Sequence, residues 1–462
     1  MSKLSLLDLA FFVAESDASP KHVAGLLIFK KPPKAGAAFV KDLYQAYLGF
    51  TDVKPPFNRV IQFSLTAMPR WKELDHVDLT QYIFYHKLAR GDNDRRALYR
   101  FVSQLHTPRL DRSRPLWEVH VIDGLPDGGF ALYQKMHHAV ADGVTMARWT
   151  AQGFSANAED LGLRPIWTVK HGVDGVARTR LRQEMIKSAW AQAASNGKRL
   201  LGIGRLAAML LLESVKLTKN AIALPFVASA DTPLTGQVTA GRQFATAAVS
   251  MERVNRIRQR TRSTLNHVAL TCVDAALHRY LKDQGVQLAR PITIQMPVNL
   301  RQEGEKTAGN KIGIVQVELS AATDDPYVRL RNIGFSLRNV RTMIDSVAPE
   351  AIESYTLITG VFGQIAEMLH LSNQLPPTGN TLVSNVPGPA TTLFLKGARM
   401  LEMHPISTLP PSNLLNITLF SYAGELYFGL IATDALPHLE RLGDYLVEAF
   451  TELETSVRDA HA

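Results

Sequence analysis

Cysteine is nearly missing from this 462-residue chain: Cys272 stands alone. One thiol cannot close an internal disulfide, so disulfide-stabilised extracellular folds lose weight and a reducing compartment gains it. Cys272 lies in the mostly apolar stretch Val268–Ala276 and reads as packing rather than as a nucleophile. Long apolar runs are missing too. None reaches the roughly 18–20 residues of a membrane span; the nearest, Leu200–Leu212, contains Arg205 and is followed by Glu213 and Lys216. Leu4–Ala14 is largely apolar after Lys3, but Asp8 interrupts it and no clear small-residue cleavage site follows, so it reads as a first structured segment. There is no low-complexity tract and no period of 20–50 residues, which argues against a solenoid. Despite a formal net charge of +9, there is no zinc-ligand pattern, aromatic-rich RNA motif or basic tail. Nucleic acid is therefore not an expected partner; the charge suits solubility, anionic lipid or the phosphates of a ligand.

What is present suits a globular body. Hydrophobic residues make up 46% and charged residues 20%, enough to bury a core. The length suggests about two domains at roughly 100–200 residues each. From Met1 to about Pro165 short strands and helices mix. Val23–Phe29, Trp117–Ile122 and Phe130–Met136 read as strands, and Val144–Phe154 as a helix. From about Ile166 the character changes. Arg178, Arg180, Arg182 and Lys187 lie in a basic helical stretch, and an amphipathic helix is expected over Lys198–Ile222. Its apolar face suits either packing across two domains or a lipid surface. From Gln237 strands and helices alternate again. Ala245–Val249, Pro291–Pro297 and Ile312–Leu319 read as strands, Met251–Arg262 and Leu265–Asp283 as helices. Ser384–Pro389 reads as a loop, and Asn416–Tyr422 with Leu426–Ile431 as a hairpin. The expected class is α/β with sheets in both halves, divided as residues 1–165, a helical linker 166–236, and 237–462.

The most informative stretch is His137-His138-Ala139-Val140-Ala141-Asp142-Gly143. Two adjacent histidines end a strand, where alternate side chains face opposite ways. Asp142 and Gly143 then turn the chain into a helix. A neutral imidazole can take the proton of an alcohol as its oxygen attacks a thioester carbonyl, and can return that proton to the leaving thiolate. Spacing alone leaves other readings open. A His-His pair can be structural, Asp before Gly at a helix start is commonly an N-cap, and a metal site from His137, His138 and Asp142 would need further ligands that are not evident.

These residues resemble the HHxxxDG motif of coenzyme A-dependent acyltransferases and peptide-synthetase condensation domains. Pro115-Leu116-Trp117-Glu118 resembles the PLWE segment of the bacterial wax ester synthase/acyl-CoA:diacylglycerol acyltransferase family. Pro297-Val298-Asn299-Leu300-Arg301 is similar to its PVSLR segment with Asn299 replacing Ser, and Gly309-Asn310 to the following Gly-Asn. Ser384-Asn385-Val386-Pro387-Gly388-Pro389 resembles its SNVPGP loop, Leu4–Ser16 its opening, and Ser421-Tyr422 a late segment. The matches run in order along almost the whole chain.

The resemblance implies two chloramphenicol-acetyltransferase-like domains with a tunnel at their interface and the histidine motif near its middle. It implies transfer of a long-chain fatty acyl group from acyl-CoA to a fatty alcohol, to diacylglycerol, or to both, with no metal or redox cofactor. His138 would be the general base, with His137 beside it. Asp142 would position the loop, by analogy through a pairing with Arg301. Asn266 would stabilise the oxyanion or bind the donor. The sequence departs from the family at Thr264-Leu265-Asn266-His267, where His267 stands in place of the usual Asp; it reads as a surface or packing residue. Gly143, Pro115, Trp117, Arg301, Asn310, Ser384 and Asn385 are expected to bind substrate or to shape the site. Pro115 and Trp117 read as a rigid strand entry and an apolar anchor, and Asn385 either as loop backbone fixed near a ligand or as an ordinary turn. Arg253, Arg256, Arg258, Arg260 and Arg262 suit coenzyme A phosphates, a lipid surface or a solvated helix face. The expected location is cytoplasmic, peripheral on the inner membrane face or on lipid inclusions. The rival readings are a related acyltransferase with another acceptor, an inactive lipid-binding protein and, last, a metal-dependent hydrolase.

Overall fold

The computed structural model describes residues 11–12, 15–63, 69–89, 95–126, 128–169, 232–299, 312–346, 349–375 and 377–459. The basic stretch and amphipathic helix expected between 170 and 231, Arg301, Asn310 and residues 4–10 and 13–14 of the opening segment lie outside these residues.

The first part supplies strands β1 (His22–Lys30), β2 (Arg59–Gln62), β3 (Arg70–Glu73), β4 (Ile83–Lys87), β5 (Trp117–Asp123) and β6 (Phe130–His137). Its helices are α1 (Phe39–Leu48), α2 (Arg95–His106) and α3 (Gly143–Gln152). The second part supplies β7 (Arg242–Ser250), α4 (Met251–Thr261), α5 (Leu265–Asp283), β8 (Thr293–Asn299), β9 (Ile312–Glu318), α6 (Pro326–Ser346), α7 (Pro349–Met368) and β10 (Thr381–Val386). It ends with β11 (Phe394–Leu395), β12 (Ala398–Ile406), β13 (Leu415–Tyr422), β14 (Glu425–Thr433) and α8 (Leu439–Asp459).

Two six-stranded sheets form. One runs β11-β12-β1-β6-β5-β4 and the other β7-β14-β13-β10-β8-β9, with β2 and β3 as a separate ribbon. The fold is therefore mixed α/β with two sheet-rich bodies. The expected late hairpin is present: β13 and β14 pair antiparallel, and β14 continues onto β7. β1 and β6 are buried along nearly their whole length, as strands covered on both faces should be. Sheet membership does not follow the divide at residue 237. β12 comes from the second part, yet pairs with β1 in the first sheet from Ala24↔Ile406 to Lys30↔Arg399. Sequence periodicity carries no sign of this, because the partners are hundreds of residues apart.

Helix α5 begins with Thr264 as N-cap, its side chain accepting from the His267 N–H at 3.2 Å. Its residues Val268–Leu277 are buried, Cys272 included. Helix α8 buries Leu439, Leu442, Leu446, Ala449, Phe450, Leu453 and Val457, a 3.6-residue stripe, and packs against α5 and β7. The stretch Ser384–Pro389 differs from the loop expected of it. Ser384–Val386 belong to β10, which runs parallel to β13, and only Pro387–Pro389 leave the sheet. The two prolines and the glycine hid the strand, since Pro cannot donate to a ladder.

Among the described residues no helix is long and apolar enough to cross a membrane.

Candidate active site

The histidine pair sits at the C-terminal end of β6, a strand held between β1 and β5. The His137 N–H donates to the Leu116 carbonyl at 3.0 Å, and the His138 N–H to the Lys21 carbonyl at 2.8 Å. Both neighbouring strands thus fix the point at which β6 stops. The rings then meet two adjacent phenylalanines. His137 stacks on Phe12 with centroids 4.6 Å apart, and His138 stacks on Phe11 at 4.2 Å.

The two histidines have different surroundings. His137 is fully buried. Its Nδ1 accepts from the Ala139 N–H at 3.1 Å, so the proton rests on Nε2, which lies 3.5 Å from Glu15 Oε1. Glu15 is buried as well. Burial alone would raise its carboxyl, but hydrogen bonds and charge from His137, Arg112 and the Lys21 backbone N–H outweigh this and hold it near about 2. Arg112 Nε donates to Glu15 Oε2 at 2.8 Å and its Nη2 to the Phe12 carbonyl at 2.7 Å. Glu15 and Arg112 therefore anchor both the inner histidine and the phenylalanine stacked on it. Sequence reasoning missed this pair, and no spacing or motif marks it.

His138 lies deep in the protein but keeps part of its surface accessible. Burial pushes its ring down to about 4, against the pull of the Asp142 charge and a hydrogen bond to its own backbone, which both raise it. At neutral pH the imidazole is therefore uncharged. A neutral imidazole keeps one ring nitrogen as an acceptor, the form a general base requires.

Asp142 caps helix α3: its side chain accepts from the Thr145 N–H at 2.7 Å. This is the bland role open to it in the sequence, and it also places a carboxylate where its charge reaches His138. Gly143 opens the helix, and a methyl built on its Cα would lie 3.8 Å from Val386 Cγ2. The end of β10 thus reaches the histidine loop. Next to Val386, Asn385 Nδ2 donates to Asn266 Oδ1 at 2.9 Å. Three sequence-selected segments, from three distant parts of the chain, therefore lie in one place: His138–Gly143, Asn266 and Asn385-Val386. The bond occupies the acceptor oxygen of Asn266 and leaves its amide N–H groups free to donate.

The other selected residues lie further back. Trp117 is buried, donates from Nε1 to the Phe57 carbonyl at 2.8 Å and stacks on Tyr82 and Trp167. Pro115 is buried just before it. Ser384 Oγ lies 3.0 Å from Thr418 Oγ1 on the neighbouring strand. A small apolar cluster of Phe12, Ile61, Trp71, Leu110, Leu116 and Ala139 lies beside the histidines, with Phe11 and Val140 on its margin. Among the described residues no group of three or more His, Cys, Asp and Glu is placed to hold a metal ion. Arg253 and Arg256 are both held by Glu454 on α8.

Comparisons with known proteins agree on one family. Residues 4–269 match the wax ester synthase/diacylglycerol acyltransferase catalytic domain, and residues 308–454 match the C-terminal domain of the same family. A probable diacylglycerol O-acyltransferase of Mycobacterium tuberculosis is 31% identical, over 97% of this chain and 98% of its own. The solved wax ester synthase/diacylglycerol acyltransferase of Marinobacter aquaeolei VT8 superposes with a TM-score of 0.78 at 28% identity, covering 99% of this chain and 100% of that one. The first condensation domain of the calcium-dependent antibiotic synthetase shares the fold at a TM-score of 0.58 and 15% identity, covering 100% and 97%.

Proposed function

This chain belongs to the wax ester synthase/diacylglycerol acyltransferase family, and on that premise we propose that it transfers a long-chain fatty acyl group from acyl-CoA to a fatty alcohol, to diacylglycerol, or to both, with His138 as the general base. The observation that carries the base assignment is the uncharged, partly accessible His138 ring just past the end of β6, stacked on Phe11. Its fully buried neighbour His137 has both ring nitrogens turned to protein groups; we assign it to positioning.

The alcohol O–H gives its proton to His138 as its oxygen attacks the thioester carbonyl carbon. The tetrahedral oxyanion collapses, the C–S bond breaks, and the coenzyme A thiolate takes the proton back from the imidazolium. Neither an oxidant nor an outside base is needed. The free amide N–H of Asn266 is the candidate donor to the oxyanion, with Asn385 holding it. Asp142 keeps the histidine loop on α3 and supports the imidazolium that forms. Because such acceptors partition into lipid, we place the working enzyme on a lipid surface.

Coenzyme A release from palmitoyl-CoA, with hexadecanol and then dioleoylglycerol, tests this reading against His138→Ala. Acceptor-dependent release that falls by about 10²–10⁴ in the folded variant is expected. Full activity in the variant would remove His138 as the base, and no acceptor-dependent release by the wild type would remove this choice of acceptor.

A further inference from the structure

A cleft of about 380 Å³ lies between the turn that joins α4 to α5 and the outer face of α6. That volume falls within the roughly 300–1,000 Å³ of small-molecule sites. Its lining carries Arg262, Arg331 and Arg338, and no acidic residue. Other arginines of this region are paired: Arg253 and Arg256 with Glu454, Arg341 with Asp345. The three in the cleft have no carboxylate partner among the described residues. Unpaired cations gathered around one concavity repel each other and are relieved by an anion.

The arrangement on α6 is regular. Arg331, Gly334, Phe335 and Arg338 share one face by their spacing. Phe335 is 59% exposed, with the Arg338 guanidinium 6.0 Å from its ring centroid. An exposed aromatic face beside free guanidiniums suits a planar base carrying phosphates. Across the cleft stands His267, whose ring is close enough that a methyl on Gly334 would meet its Nδ1 at 3.8 Å and Arg338 Nη1 at 3.7 Å. Burial and the Arg338 charge push His267 down, so it stays neutral. The neutral histidine leaves the Arg338 cation available. The first turn of α5, a 19-residue helix, opens beside the cleft and adds the positive end of its dipole. From His267 the surface continues to Asn266, and through Asn385 and Val386 to Gly143 in the histidine loop.

We infer that this cleft takes the 3′-phosphoadenosine diphosphate end of the donor, with Phe335 under the adenine and Arg262, Arg331 and Arg338 on the phosphates. The inference rests on the acyl-CoA reading above. The thioester then runs from the cleft past Asn266 to His138.

Titration calorimetry of the full chain with adenosine 3′,5′-bisphosphate is the direct test. Binding is expected, weakened about tenfold or more by Arg331→Gln or Arg338→Gln, as loss of a charged hydrogen bond predicts. In turnover, the same variants should lose kcat/KM with palmitoyl-CoA far more than with palmitoyl-pantetheine, which lacks the nucleotide. No binding by the wild type, unchanged binding in both variants, or equal losses on the two donors would overturn the assignment. Wild-type protein that binds the bisphosphate but turns over neither donor would instead sink the acyltransfer reading and leave the cleft standing.

Discussion

Asn385 at the end of β10 and Asn266 at the start of α5 are joined through their side-chain amides at 2.9 Å, across 119 residues of sequence. The bond uses the oxygen of Asn266 and so decides which way its N–H groups point. Asn385→Ala should therefore lower kcat about fivefold, the worth of one neutral hydrogen bond, with a small change in KM. Asn266→Ala should cost more, and the double variant little beyond Asn266→Ala. Additive losses in that kinetic cycle would show that the two residues act separately.

The low proton affinity of His138 sets a pH profile. The base is active when neutral, so kcat/KM should rise with pH through a midpoint near about 4 and be flat at neutral pH. Asp142 raises that midpoint through its charge, so Asp142→Asn, which can still cap α3, should move it lower. A midpoint that does not move would limit Asp142 to capping.

The same histidine contributes to acid sensitivity. Its folded value of about 4 lies below the ordinary 6.5, so between these values the unfolded chain holds a proton that the folded chain excludes. Stability should then fall as pH drops from about 6.5 towards 4. Denaturant midpoints measured across that range, for wild type and His138→Phe, check this: the variant should lose less.

Glu15 adds a further loss at lower pH. Its folded value of about 2 lies below the ordinary 4.5, so its stabilisation is fully present above about pH 4.5 and is lost as pH falls towards 2. Glu15→Gln should cost about 3 kcal/mol, the low end for breaking a buried ion pair, because Arg112 is about a quarter exposed. Unchanged urea unfolding of the variant would show that the Arg112 anchor is dispensable.

Gly429 on β14 lies directly against the Pro405 carbonyl on β12, closer than any side chain would allow. Gly429→Ala should push the two sheets apart and lower the melting temperature by several degrees, with activity falling alongside it. A soluble variant of wild-type melting temperature would show that this contact yields easily.

Much of the local structure was legible. The span Leu265–Asp283 reads as helix from its apolar pattern and is one; Trp117–Ile122 and Phe130–Met136 read as strands and lie in β5 and β6. Strand alternation and a strong hairpin turn are local signals. Pairing of β12 with β1 is not local, and nothing in Ala398–Ile406 names its partner. Ser384–Val386 read as loop because Pro387 and Pro389 dominate the window, while the ladder to β13 lies in the three residues before them. The histidine motif announced itself, but its supports did not. Phe11, Phe12, Glu15 and Arg112 acquire meaning only once β1 and β5 bring them to the end of β6. Arg331 and Arg338 look like an ordinary solvated helix face until the turn at Arg262 is placed opposite them.

The position of β12 bears on how such a protein can be taken apart. A fragment starting near residue 237 would carry away the strand that covers β1, leaving the remaining sheet with a long hydrophobic edge and the fragment with an orphan ribbon. The two halves therefore cannot be traded as cassettes between relatives, and chimaeras with one crossover should precipitate unless residues 394–406 travel with the N-terminal half.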